Sequence, residues 1–186
     1  MKDNIKKAAI NLFYKKGYFA TSMSAIAKMT GIRKSSIYHH YATKEDILLD
    51  IFRTTLSDLQ IALNKQLDQT VGAKERIKAA IYCHIIFHIQ RQKEAIIADS
   101  ELRGLTARNY KEIIQMRDDY ERAFQDVIAE GVTEGIFAET DIKVISYAIL
   151  TMCTAVCVWF TRTGRLSKEA VVDLYVDFIL KGLAKT

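Results

Sequence analysis

Residues 21–48 read TSMSAIAKMTGIRKSSIYHHYATKEDIL. Ser22, or Thr21 beside it, is placed to cap a short helix carrying Met23, Ile26, Ala27 and Met29, because a hydroxyl there accepts a bond from a first-turn amide that has no helical partner. Gly31 is placed to stop that helix in a left-handed turn. A second short helix follows at about residues 33–40, with Ile37 facing a small core. Thr43 then reads as the cap of a long helix, with Glu45 and Asp46 in the first turn, where the helix dipole favours carboxylates. Two short helices separated by a glycine turn make a helix-turn-helix. Its second helix leaves Arg33, Lys34, Ser35, Ser36, Tyr38 and His39 to project outward, and residues 32–41 contain no carboxylate. These are donors and adaptable hydroxyls, which phosphate oxygens and major-groove base edges accept.

Upstream, Ile5, Ala8, Ala9, Leu12 and Phe13 follow the spacing of one buried helix face, with Gly17 at its end. The charge divides the chain at the same place. Residues 1–47 hold nine bases against three acids, or +6, while the remainder holds 18 against 19, or −1. A compact basic head on a near-neutral body is the electrostatic footprint of nucleic-acid binding, although a membrane surface or an acidic protein would also be attracted.

The 186 residues include no proline, and the apolar spacing is helical almost throughout. Further helices are expected at residues 43 to beyond 63, 73–91, 93–99, 107–134, 141–163 and 167–185, so the chain reads as all-α with about nine helices and no sheet. Cys83, Cys153 and Cys157 are odd in number and lie in apolar runs, which suits core positions in a reducing cytosol. The first ten residues, MKDNIKKAAI, put charges where a signal peptide needs its apolar stretch, so a cytoplasmic location without a membrane is expected. The uncharged run at residues 144–160 is marginal for a membrane span and reads as a buried helix.

The run from Thr21 to Leu48 resembles the DNA-binding signature of the TetR-family transcriptional regulators. The likeness rests on Ile26, Ala27, Gly31, Ile37, Tyr38, Tyr41, Lys44 and Glu45 at matching spacing. It implies a helix-turn-helix DNA-binding domain at residues 1–47 and a helical effector-binding and dimerisation domain at residues 48–186. It further implies a homodimer on a double-stranded operator, and Tyr38, Lys44 and either Thr21 or Ser22 as phosphate contacts. Arg33 and Ser35 depart from the family pattern. Many members place a small hydroxyl residue at the position of Arg33 and glycine at that of Ser35. Arg33 cannot supply the usual cap and is free to reach a base or phosphate.

In the body, the apolar 141–163 helix and the stripe Val171, Leu174, Tyr175, Phe178 and Ile179 make the last two helices the expected dimer interface. ELRGL at residues 101–105, AEGVTEGIF at 129–137, Trp159 and the ending from Thr163 to Leu183 resemble one branch of the family. That branch includes regulators of fatty-acid and sterol-side-chain breakdown that respond to acyl-CoA thioesters. An acyl chain needs a long apolar cavity, and a nucleotide end needs bases near the mouth. The candidate effector residues are Phe87, His88, Arg103, Met116, Tyr120, Phe124, Met152, Val156, Trp159 and Arg162, with Trp159 and Arg162 on one helical face. Ordinary core packing is the competing reading for each apolar one.

His84 and His88, and Cys153 and Cys157, are spaced as ligand pairs, but neither pair has the further short-range ligands of a zinc site, so no metal is expected. No nucleophile motif, phosphate loop or acid-base pair is present, so neither catalytic residues nor a cofactor are expected. The expected function is a ligand-responsive repressor released by a small hydrophobic effector such as an acyl-CoA. The alternatives are response to another hydrophobic compound or a metal, and a helical carrier or enzyme with a merely basic head.

Overall fold

The capping signals of the head form the bonds their residues permit. In the computed structural model, which describes residues 1–185, α1 spans Lys2–Lys16, buries Ile5, Ala9 and Phe13, and ends at Gly17 with φ 81°. Helix α2, Met23–Thr30, starts where Ser22 Oγ accepts the Ala25 amide at 3.1 Å, and stops at Gly31 in the left-handed region, φ 69° and ψ 15°. Only glycine takes that turn without a Cβ penalty. Helix α3, Lys34–Tyr38, is shorter than the sequence suggests, and Arg33 at its start supplies no side-chain cap. Before α4, Lys44–Asp68, Thr43 and Asp46 exchange bonds reciprocally. The Asp46 amide donates to Thr43 Oγ1 at 3.1 Å and the Thr43 amide to Asp46 Oδ2 at 2.8 Å, satisfying two amides at once.

The remaining helices are α5, Ala73–Gln90; α6, Gln92–Ser100; α7, Ala107–Thr133; α8, Ile142–Thr154; α9, Val156–Trp159; and α10, Lys168–Leu183. A single 3₁₀ turn, Leu102–Gly104, separates α6 from α7. Side-chain caps start α8, where Asp141 accepts the Val144 amide, and α10, where Ser167 accepts the Ala170 amide. Among the described residues no strand forms, and one isolated bridge joins Phe137 to Ala184.

The expectation of one helix over residues 141–163 requires correction. The rod is interrupted at Ala155 and ends at Trp159, because Phe160 turns extended at φ −68° and ψ 131°. The Phe160 ring is buried and its carbonyl accepts Gln92 Nε2 at 2.8 Å, so tertiary contacts override the apolar pattern there. Thr161 and Gly164 then close a turn. Arg162 therefore lies beyond the helix and does not share a helical face with Trp159. Burial of residues 144–160 also holds for one face only. Ile149, Cys153, Val156 and Cys157 are covered, whereas Val144, Tyr147, Val158 and Trp159 are exposed.

The helices cluster into two compact units, residues 1–57 with 93–115, and residues 58–92 with 116 onward. The first is built on Phe13, Ile26, Ile37, Leu48 and Phe52, and the second on Leu63, Ile77, Ile81, Phe124 and Ile128, all essentially inaccessible. Burying each such side chain contributes about 1.5–3 kcal/mol.

Candidate functional site

In the first unit, Ile37 is 0% exposed and pins α3 by its inner face. Arg33, Lys34, Ser35 and His39 are exposed around it, Ser36 is half-buried, and Tyr38 is 46% exposed with the Lys34 ammonium 5.8 Å from its ring centroid. The outer face of α3 thus carries two cations, two hydroxyl donors, a phenol and an imidazole without a carboxylate. At the start of α2 the exposed hydroxyl is Ser22. Thr21 is 2% exposed and its hydroxyl donates to the Gly17 carbonyl at 2.9 Å, so that side chain is committed inside the head.

Lys44 is likewise engaged. Its Nζ donates to the carbonyls of Tyr18 and Thr21, both at 2.7 Å, and lies 4.2 Å from the Tyr18 ring centroid. Burial lowers its pKa against the opposing charge of Glu101. The base of the head is tied by Tyr41, whose hydroxyl donates to Asp50 Oδ2 at 2.5 Å, with Lys6 and Lys2 at 3.5 and 3.7 Å from the same carboxylate. Burial would raise the Asp50 pKa, but the Tyr41 bond and the two lysines outweigh it and hold the group ionised below its ordinary range.

In the second unit, α5, α7 and α8 bring a polar cluster into the apolar core. His84 Nδ1 lies 3.0 Å from the Tyr120 hydroxyl, and Nε2 lies 3.0 Å from Thr154 Oγ1. One ring nitrogen donates and the other accepts, and the two hydroxyls complement either tautomer. His88 stacks on His84 with centroids 4.0 Å apart, and its Nδ1 donates to the His84 carbonyl at 2.7 Å. Burial first, and then the neighbouring His88, depress the His84 pKa well below the usual histidine value, so the imidazole is neutral. Burial also pushes Cys83 up to about 11 and Cys153 up to about 12, which keeps both as unreactive thiols.

The structure brings several of the candidate effector residues together around this cluster. Tyr120 and Phe124 are buried with ring centroids 5.7 Å apart, Phe124 meets the His84 ring edge-on, and Phe87 lies edge-on to His88. Val156 is buried and Met152 partly buried in the same apolar cluster. Trp159 is 50% exposed and stacks on Tyr175. Met116 is half-buried, and Arg162 is exposed on the turn after α9. Arg103 is exposed and falls in the first unit.

The pairings of Thr154 with His84, Tyr175 with Trp159 and Glu101 with Tyr18 are not legible in the sequence. The partners lie many residues apart in the chain, and no local periodicity points to them. Among the described residues, no group of three or more metal-ligating side chains is assembled.

Two family models match the chain, one described as bacterial regulatory proteins of the tetR family over residues 5–51, the other as a tetracyclin repressor-like C-terminal domain over residues 70–183. The chain is similar to the HTH-type transcriptional repressor KstR2 of Mycolicibacterium smegmatis, with 26% identity over 188 residues that cover 100% of this chain and 91% of that protein. A tetR-family regulatory protein from Rhodococcus RHA1 superposes with a TM-score of 0.94 at 25% identity, covering 100% of this chain and 97% of that one. AibR in complex with isovaleryl coenzyme A and operator DNA superposes with a TM-score of 0.88 at 25% identity, covering 95% and 96%.

Proposed function

The chain belongs to the TetR family of transcriptional regulators, which are not enzymes, and from that premise we propose that it is a cytoplasmic, dimeric repressor released from its operator by an acyl-CoA. The observation that carries DNA recognition is the outer face of α3, which is exposed, seated on the buried Ile37 and free of acids. In this reading residues 1–47 form the reading head and residues 48–186 the effector and dimerisation domain. Ser22, Tyr38 and His39 hold phosphates, while Arg33, Lys34, Ser35 and Ser36 meet base edges. Thr21 and Lys44 fix the loop before α2, at whose start Ser22 stands.

Dimerisation through α8, α9 and α10 is supported by the apolar side chains these helices leave in the open. Val144, Tyr147, Val158, Leu174 and Phe178 are all more than half exposed, more apolar surface than a single chain ordinarily leaves uncovered on adjacent helices. A two-fold pairing of these faces would bury it and set two recognition helices for a palindrome.

The apolar and aromatic surroundings of Phe87, Tyr120, Phe124, Met152 and Val156 suit an acyl chain. The complex of AibR with isovaleryl coenzyme A and operator DNA supports the same class of effector. The reading is tested by titrating a selected operator complex with acyl-CoAs of graded chain length and with free CoA. Release by one or more thioesters but not by CoA is expected. Absence of release at every length, alongside release by an unrelated hydrophobic compound or a metal ion, would overturn the effector assignment.

A further inference from the structure

The ELRGL motif at residues 101–105 has so far no role: Arg103 points to solvent, and the motif lies in the same compact unit as the helix-turn-helix. Glu101 and Gly104 are directed at one short loop of that unit, residues 17–21, which joins α1 to α2. Glu101 Oε1 accepts the Tyr18 amide at 3.1 Å. Gly104 lies so close to the Tyr18 ring that a Cβ there would sit 2.6 Å from it and 2.8 Å from Leu48. Lys44 holds the same loop through the carbonyls of Tyr18 and Thr21, and the charge of Glu101 favours its ammonium against the cost of burial. Beside it, Glu45 Oε1 accepts the Thr106 amide and Asn109 Nδ2, both at 2.7 Å, and so fixes the start of α7 just past the motif.

This loop ends at Ser22, the exposed cap of α2, and it sets the direction in which the α2 N-terminus points. A helix N-terminus presents unpaired amides and a partial positive charge to an anion, so its aim decides whether a phosphate is met. From this geometry we infer that Glu101 is a positioning residue for operator binding. Its carboxylate, opposed by Lys44, clamps the 17–21 loop in the register that aims Ser22 and α2 at the DNA backbone. Within the TKED segment Lys44 grips the loop itself while Glu45 holds Thr106 and Asn109 just past the motif, and ELRGL is the seat of the reading head. Displacing the seat loosens the head without touching a DNA-facing side chain.

The inference rests on the DNA-binding reading above and is tested in the intact protein with Glu101→Ala and Glu101→Gln on an operator selected by the wild type. Losing a hydrogen bond to a charged acceptor that positions a phosphate contact corresponds to about a tenfold loss of affinity. Glu101→Ala is expected to lose about that factor on operator and random DNA alike, with unchanged sequence preference. Glu101→Gln keeps an acceptor oxygen for the Tyr18 amide and is expected to recover most of the loss.

Hydrogen exchange supplies a readout independent of DNA. The Tyr18 amide should exchange faster in Glu101→Ala than in the wild type, with the change confined to residues 17–22. Wild-type affinity and wild-type Tyr18 exchange in a folded Glu101→Ala variant would overturn the inference. So would a loss that Glu101→Gln fails to recover, or one accompanied by faster exchange throughout the chain. If Glu101→Ala does not fold, Gly104→Ala, whose Cβ would displace the Tyr18 ring, is expected to show the same uniform loss of affinity and faster Tyr18 exchange, and wild-type affinity and exchange in that folded variant refute the clamp. If the wild type selects no operator, the DNA-binding reading fails while the exchange result still decides the clamp.

Discussion

Phe178→Ala is expected to separate the proposed dimer. Phe178 lies on α10 one turn beyond Leu174, and the two are 67% and 57% exposed in the single chain. A phenylalanine offers about 200 Å² of surface, so an interface covering the open part would bury about 130 Å² per protomer. Truncation to alanine removes about 100 Å² of that burial, and the two-fold axis doubles the loss to about 200 Å². At about 25 cal/mol per Å² this amounts to about 5 kcal/mol, or more than three orders of magnitude in the dimer Kd. Relaxation around the gap reduces the figure, and about two orders of magnitude is a lower bound for a side chain at the centre of the contact. Sedimentation equilibrium over a wide concentration range measures the midpoint, with circular dichroism to verify the helices. A folded variant whose monomer–dimer midpoint matches the wild type would refute the placement of the interface on α10.

Other perturbations separate the parts of the account. Tyr38→Phe is expected to weaken binding to all DNA sequences similarly, whereas Arg33→Ala and Lys34→Ala change the preferred sequence; repeated site selection with each variant distinguishes these outcomes. In a variant that still dimerises, Trp159→Ala should blunt release by acyl-CoA while leaving effector-free operator affinity nearly intact, as read by anisotropy titration. His84 is held neutral by burial, so its folded pKa lies below that of the unfolded chain, and stability is full above about pH 6.5 and falls as the pH drops toward the folded value. Urea midpoints at pH 7.5, 6.0 and 5.0 should show this slope in the wild type and a flatter one in His84→Gln, by up to about 1.4 kcal/mol per pH unit.

The head was legible because its signals are local. A hydroxyl cap three residues from its amide, a glycine that alone accepts a left-handed turn, and an apolar residue facing inward at Ile37 are each decided within a few positions. What Thr21 and Lys44 do in the fold was not, because their burial is decided by the loop at Tyr18 and by Glu101, which is 83 residues from its bonding partner.

The same physics governs the body. Apolar spacing located α5, α7, α8 and α10, but it cannot distinguish a residue facing the core from one left open for a partner, as Ile149 and Val144 illustrate on one helix. The break before Arg162 depends on a glutamine 68 residues upstream of Phe160. The His84–Thr154 contact joins residues 70 apart, which no helical repeat encodes.

The central claim, a two-fold reader of DNA, is tested most directly by letting the intact protein select duplexes from a random pool and titrating the enriched sequence across salt. The expected product is a palindrome whose half-sites lie about 34 Å apart or a multiple of that along one face. With about 6 to 10 phosphates neutralised per dimer, affinity should fall by about three to five orders of magnitude between about 50 and 200 mM salt. Enrichment of no palindrome, together with an affinity that stays flat across that salt range, would contradict the account.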